Sequence, residues 1–502
     1  MAFSKTLVAE HAAVASEQPL ASLAGYDALR KGGNAFDAAV ATSLALAVTF
    51  HSAGGLGGDF FGMFYEARTG RVHCLMASGW SPSGLTIGLV RSVAGGRIPL
   101  YGPLTCLVPG YVGGVCEMHK RFGSSEFREL VSASTEYATK GFPAGEGICR
   151  SIARAYRYLP EPAKSIFAPS GRPPVPGDWI RQERLGEVIS EIAEGGPKAF
   201  YSGWPALKIQ ETLEGLGVST KMADFRDFVP EWVPPLKLDY RGTTVYEMPP
   251  NSMGATSLLI LKLLLRDTLS KAGPLSGDRV ETMVRAAITA YRRRDKMLGD
   301  PRFGKIDIEE FMDVPEQSGI HRARVRRGDT TAFSIADGEG NLASCIQSLF
   351  HHFGSRVFVP GCGIFLNNRG SGFSMAGPNK VEPRKRPLHT LSSMLLERKG
   401  RPYMAIGTSG GDYRPLQHAL FVTNAVDYGM PLEKVVGHPR FLWNGGKSLL
   451  VEEGYEKKGL SDFDIRWLPH PGATGVCHAV EISDHFRKAV CDARGDGIPT
   501  GF

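Results

Sequence analysis

The sequence predicts a mixed helix-and-strand protein in which antiparallel sheets carry helices on their outer faces. Three observations lead there. Helical and strand-like patterns pair at both ends of the 502-residue chain. Short turns join the strand patterns, as in hairpins, where parallel strands would need long crossovers. The alanine-rich segment AFDAAVATSLALAV is apolar on most sides, so it must lie inside the molecule. Pattern alone leaves the α/β and α+β arrangements both open.

The elements follow in order. ASLAGYDALR, residues 21–30, has helical spacing and is stopped by Gly32 and Gly33. Asn34 is placed to cap the second helix, AFDAAVATSLALAV. The glycine loop HSAGGLGGD leads into strand FFGMFYEA, a turn at Arg68-Thr69-Gly70 and a return strand. Residues 110–230 read as mainly helical, with the proline-rich interruption APSGRPPVPGDW. YRGTTVYEMPP reads as a strand; SLLILKLLLRDTL and Val280 to Leu298 read as helices. Between Gly304 and Asp329 the charge density rises, and this segment reads as a linker. Then come strand TTAFSIA, turn DGEGN, strand LASCIQSLF, further glycine-punctuated strands and a helix near Gln417 to Tyr428. There is no internal repeat and no low-complexity tract.

Composition narrows the function. With 42% hydrophobic and 22% charged residues, the chain has a globular balance and can bury a large core. Its net charge of +7 is mild for this length. The basic clusters Arg292-Arg293-Arg294, Arg322 to Arg327 and Arg384-Lys385-Arg386 are short and lack interleaved aromatics. They read mostly as solvated faces, and no nucleic-acid partner is expected. Eight dispersed cysteines without a CxxC pair read as reduced thiols. No charged and then apolar leader precedes Val8, and the longest apolar run, Leu258 to Leu265, contains Lys262 and is too short for a bilayer. No membrane partner is expected, and the expected location is cytoplasmic. GGLGGD, Gly54 to Asp59, fits neither a dinucleotide nor a P-loop pattern. His351 and His352 would point to opposite faces of a strand, so no metal or other cofactor is expected.

The chemistry concentrates in RRGDTTAFSIADGEGN, residues 326–341. A turn centred on Glu339 sets Thr330 opposite Ser348, close enough for the two hydroxyls to bond, and a one-residue slip would part them. Two readings of Thr330 stand. It is the β-forming start of an amphipathic strand, or it is an N-terminal nucleophile. In the second case the flexible Gly328-Asp329 linker lets the hydroxyl attack the Asp329 carbonyl. The freed α-amine, its pKa lowered by burial, then serves as base. GTSGGDYR, Gly407 to Arg414, is either a plain turn or a place where backbone N–H groups converge on an oxyanion.

Nine segments in order then point to a family. They are QPLASLAGYDALRKGGNAFDAAVAT, GGLGGDFFGMFYEARTGRV, YRGTTVYEMPPNSMGATSLLILKLL, AYRRRDKMLGDPRF, DTTAFSIADGEGNLAS, GIFLNNRGSGFS, PNKVEPRKRPLHTLSS, GTSGGDYRPLQ and CDARGDGIPTGF. The chain resembles the γ-glutamyltransferase (γ-glutamyltranspeptidase) family of N-terminal nucleophile hydrolases over nearly its whole length. The resemblance implies an α+β fold: a four-layer αββα sandwich with two stacked antiparallel sheets. It implies a precursor that cuts itself between Asp329 and Thr330. Residues 1–329 and 330–502 would then stay associated as one intertwined domain. It makes Thr330 the nucleophile, Ser348 its hydroxyl partner, and Gly410 and Gly411 the oxyanion hole, with Thr331 beside the nucleophile. The two subunits and a small-molecule amide are the implied partners; a homodimer of the two-chain unit is left open.

The departures from the family pattern fall in the glutamyl pocket. Ser78 stands where an arginine would hold the α-carboxylate. Phe350 replaces an asparagine, and Gly372 replaces the acid that holds the α-amino group. Arg369 takes the preceding polar position, and His389-Thr390 replaces a serine pair. Losing a carboxylate removes the counter-ion of a substrate ammonium, while Arg369 suits a carboxylate, unless it simply faces solvent. The expected acyl donor carries a carboxylate and no α-amino group, as in the oxamate amidohydrolases and glutaryl-cephalosporin acylases of this family. A true γ-glutamyl hydrolase or transpeptidase, and an unprocessed, inactive binding homologue, are the alternatives.

Overall fold

Capping and burial set the first elements. Gln18 and a proline at the first turn start helix Pro19–Arg30. Asn34 accepts the N–H groups of Phe36 and Asp37 while the Asp37 carboxylate takes the Asn34 N–H, a reciprocal capping box. The helix that follows, Ala35–Thr49, is buried at every residue. The structure, a computed structural model, describes residues 4–266, 269–314, 325 and 328–502. Much of the expected 304–329 linker and all of the Arg322 to Arg327 cluster except Val325 lie outside the described residues. Within the linker, Ile308–Met312 is a short helix.

Two seven-stranded sheets form the centre, and every strand pair in them is antiparallel. The first runs Pro499–Gly501, Ala13–Ser16, Asp329–Ala336, Leu342–Phe350, Asp59–Glu66, Arg71–Ala77, Glu231–Val233. The second runs Ser4–Ala9, Arg487–Asp492, Cys477–Ile482, Arg401–Thr408, Met394–Arg398, Thr243–Glu247, Leu236–Tyr240. Both sheets therefore interleave strands from before and after the Asp329–Thr330 bond.

Three cores separate four layers. Between the sheets pack Phe61, Met63, Ala332, Ile346, Leu395 and Val480. The first sheet's other face meets Ala35–Thr49 and its neighbouring helices through Val40, Leu44, Phe333 and Cys345. The second sheet meets Gly254–Leu264, Gly277–Met297 and Arg414–Val426 through Leu259, Val284, Ile406 and Ala419. This is the αββα sandwich. Burying each large apolar side chain contributes about 1.5–3 kcal/mol, so the three cores define the layer order.

The basic clusters depart from the expected solvated faces. Arg294, Lys385 and Arg386 are buried, held by Asp295, Glu382 and Glu231 respectively. Carboxylates close in sequence, Asp295 and Glu382, and one from a distant strand, Glu231, make that burial tolerable. All eight cysteines are unpaired. No described helix is long and apolar enough to cross a membrane. Among the described residues no cluster of three or more His, Cys, Asp or Glu is arranged to hold a metal ion.

Candidate active site

The hairpin Asp329–Ala336 and Leu342–Phe350 positions the central hydroxyls. From Thr331↔Gln347 to Ala336↔Leu342 its register is the one a turn centred on Glu339 requires. At Thr330 the ladder breaks: Asp329 pairs with Phe350 and Thr331 with Gln347, so Ser348 and Leu349 together oppose Thr330 and the bulge lies on the partner strand. A bulge re-aims the side chains around it. The Thr330 hydroxyl donates to Ser348 Oγ at 3.2 Å, the Ser348 hydroxyl donates to the Asp329 carbonyl at 2.8 Å, and the Phe350 N–H donates to Ser348 Oγ at 2.7 Å. Ser348 thus touches both the hydroxyl that would attack and the carbonyl that would be attacked. Phe350 holds a φ of 84°, a left-handed conformation costly for an aromatic residue and fixed here by that N–H bond.

Two clefts flank this point. One, of about 430 Å³, is lined by Thr330, Asp329, His352, Ser409, Glu17 and the Thr474–Val476 segment, among others. The other, of about 600 Å³, is lined by Phe350, Gly372, Thr390, Asp412, Arg294 and Met253, among others. Ser409 and Asp412 bracket Gly410 and Gly411, so the two glycines stand between the clefts. Their φ values of 133° and 60° are open to glycine and costly for other residues. Gly328 also lies there. A Cβ on it would stand 2.9 Å from the Phe350 ring and 3.1 Å from the Gly411 Cα. The uncut chain therefore runs through the gap between the clefts.

The remaining predicted residues divide. Thr390 accepts from Arg369 Nη1 at 2.8 Å, and the Arg369 guanidinium lies over the Phe350 ring at 4.3 Å. Arg369 is 1% exposed, which rules out the solvent-facing reading. Its Nε and Nη2 have no hydrogen-bond partner among the described residues. Burial lowers its pKa to about 10, against the pull of Asp59 and Asp412, and it stays cationic at neutral pH. Gly372 faces the larger cleft and brings no charge. His389 is not a free polar group. It receives the Leu391 N–H on Nδ1 at 3.1 Å, and its Nε2 lies 2.9 Å from Asp59 Oδ2. Burial, reinforced by the Arg369 charge, holds it down at about 3, so the neutral ring donates from Nε2 to Asp59. Ser78 is buried and accepts from Asn251 Nδ2 at 3.1 Å; it lines neither cleft. Thr331, paired with Gln347, packs on the helix-facing side: its Cγ2 lies 3.1 Å from where a Cβ on Gly54 would be. Strand alternation turns it away from Thr330.

Three residues here have no role in the sequence reading. Asp59 ends the GGLGGD loop and accepts from the Gly79 N–H at 2.8 Å, with Arg369 Nε at 3.8 Å. An acid opening an otherwise apolar strand is the signal that singles it out. His352 lies 3.3 Å from the Asp329 carboxylate. Arg414, in the GTSGGDYR segment, is wholly buried.

Comparison with known proteins follows this geometry. Residues 21–502 match the family model described as gamma-glutamyltranspeptidase. The chain is similar to the glutathione hydrolase-like YwrD proenzyme of Bacillus subtilis, at 34% identity over 99% of this chain and 100% of that one. It is similar to the oxamate amidohydrolase proenzyme of Klebsiella pneumoniae, at 29% identity over 99% of both chains. Among solved structures, cephalosporin acylase from Bacillus halodurans superposes with a TM-score of 0.92 at 28% identity, covering 99% of this chain and 97% of that one.

Proposed function

Since the chain belongs to the gamma-glutamyltranspeptidase family of hydrolases and acyltransferases, we propose that it is a self-processing amidohydrolase for acyl groups that carry a carboxylate and no α-ammonium. Thr330 Oγ1 attacks the Asp329 carbonyl carbon, and its proton is relayed through the Ser348 hydroxyl to the Thr330 nitrogen as the C–N bond breaks. The Asp329–Thr330 amide becomes an ester with a free α-amine, which water hydrolyses, leaving chains 1–329 and 330–502. The freed α-amine of Thr330 then takes the hydroxyl proton for the second attack, on the substrate amide. The amine leaves with a proton, the acyl group stays on Thr330 Oγ1, and water or an acceptor amine releases it. The N–H groups of Gly410 and Gly411 serve the oxyanion in both tetrahedral states.

The observation that carries the acyl specificity is Arg369, stacked on Phe350 with Nη2 without a hydrogen-bond partner among the described residues and Nε facing only Asp59 at 3.8 Å, beside a Gly372 that offers an ammonium no counter-ion. The relative named as an oxamate amidohydrolase supports the same class, and the likeness to a cephalosporin acylase supports amide hydrolysis. The γ-glutamyl reading draws on Asp412, which lines this cleft. That carboxylate already faces Arg294 at 3.7 Å.

The direct test compares hydrolysis of glutaryl-amides, oxamate and γ-glutamyl-amides by the purified enzyme. Glutaryl or oxamyl turnover should exceed γ-glutamyl turnover by about tenfold or more, the worth of one charge-assisted bond. Turnover of γ-glutamyl-amides alone would refute the acyl assignment. A single uncut band after long incubation would favour the inactive binding homologue. Ser348→Ala should slow the cut by about a hundredfold, as loss of a proton acceptor does, in a time course on denaturing gels.

A further inference from the structure

The turn that follows strand Leu342–Phe350 is anchored on both sides of His352. The His351 N–H donates to Asn368 Oδ1 at 3.1 Å, and the Phe353 N–H donates to the Ser52 carbonyl at 2.7 Å. Phe350 and Phe353 hold φ values of 84° and 60°, so the turn is left-handed at both ends. The His351 ring is turned toward Asn368, whose Nδ2 lies 2.9 Å from its Nδ1. His352 is turned instead into the smaller cleft, which Thr330 also lines.

There His352 meets the residue whose carbonyl is to be attacked. Its N–H donates to Asp329 Oδ2 at 3.2 Å, and its ring Nε2 faces Asp329 Oδ1 at 3.3 Å. One residue thus engages both oxygens of the carboxylate. The Asp329 carbonyl accepts separately from Ser348 at 2.8 Å. Asp329 is the first residue of its strand, and the register breaks immediately after it. Gly328, on its other side, has no side chain to hold the peptide. Ladder bonds alone therefore leave the scissile amide loosely set. Anchors on both the carbonyl and the side chain fix its plane relative to Thr330 Oγ1, and attack on a carbonyl carbon demands such alignment. The side chains of His352 and Asp329 are 29% and 42% exposed. A pair so open to water contributes little to folding, so its effect belongs to alignment.

We propose that His352 is a positioning residue for self-cleavage: in the uncut chain it clamps the Asp329 carboxylate and so turns the scissile carbonyl toward Thr330 Oγ1. This rests on the self-processing reading above and adds to it a residue outside the Thr330–Ser348 pair. No bond or proton passes through His352; it acts through Asp329.

The test follows the disappearance of the 54.3 kDa chain in a pulse-chase on denaturing gels. It compares the wild type, His352→Ala, His352→Gln, Asp329→Ala and the variant carrying both alanine changes. His352→Ala should cut about tenfold more slowly, the worth of one hydrogen bond to a charged group. His352→Gln, which returns an N–H donor, should recover part of that rate. With Asp329→Ala in place, His352→Ala should slow the cut by less than about twofold, because its partner is already gone. Asp329→Asn, which removes the charge and keeps the shape, carries the same comparison if Asp329→Ala does not cut. Urea midpoints in the uncut Thr330→Ala background should be the same with and without the His352 ring. Wild-type speed in His352→Ala, or an equal slowing with and without the Asp329 carboxylate, would overturn the clamp, as would a slowing matched by a fallen midpoint. A wild type that stays whole, or a Thr330→Ala chain that is cut, would sink the self-processing reading and the clamp with it.

Discussion

Thr330→Ala is expected to remain a single 54.3 kDa chain on prolonged incubation, while the wild type resolves into two. The small fragment of the wild type should begin with threonine on N-terminal sequencing. The expectation follows from contact. Thr330 donates to Ser348 at 3.2 Å, and Ser348 holds the Asp329 carbonyl at 2.8 Å. Removing the Thr330 hydroxyl abolishes the cut and the later acyl transfer together, so amidase activity should fall by about 10⁴-fold or more. Thr330→Ser, which keeps a hydroxyl, should still cut. Two bands from the alanine variant would mean that the chain is cut by something other than Thr330.

Asp59→Ala is expected to be the most destabilising single change near the site. Asp59 is fully buried, accepts from the Gly79 and Gly110 N–H groups and from His389, and lies 3.8 Å from Arg369. Its removal leaves the buried Arg369 without its carboxylate and the Gly79 N–H and His389 without the acceptor they share. Breaking one side of a buried ion pair costs about 3–5 kcal/mol. Urea unfolding in the uncut Thr330→Ala background, where a single chain is followed, should show this loss. Asp59→Asn keeps an oxygen for the Gly79 N–H and should cost less. Equal midpoints for the alanine variant and its parent would remove Asp59 from the support of Arg369.

The parts legible in the sequence are those decided locally. Asn34 followed by Asp37 three residues later announces a capping box, and an alanine-rich helix without a polar face announces its burial. The hairpin register is legible because DGEGN fixes the turn and alternation fixes the faces. The bulge at Ser348–Leu349, opposite Thr330, is not, since it depends on the Phe350 N–H turning to Ser348 Oγ. Nor are the partners of charged groups. Arg369 reads equally well as a surface residue until Asp59, some 310 positions earlier, is folded against it. His389 reads as a substitute for a substrate-binding serine, and the fold instead spends both its ring nitrogens on Asp59 and Leu391. Arg414 looks like one more polar residue in a glycine turn, and only three-dimensional packing strips its terminal nitrogens of partners.

The interleaving of strands across the Asp329–Thr330 bond has a thermodynamic corollary. Strand Asp329–Ala336 sits inside its sheet, between Ala13–Ser16 from one side of the bond and Leu342–Phe350 from the other. While the chain is continuous, its two halves find one another as an intramolecular event. Once it is cut, the same arrangement can be regained after unfolding only by a bimolecular encounter, and each half alone exposes unpaired sheet edges. The precursor's persistence is then a matter of equilibrium, and the cut protein's a matter of how slowly it comes apart. Its thermal inactivation would be one-way and dependent on heating rate, with the sequence holding instructions for a fold that the mature pieces can no longer readily follow.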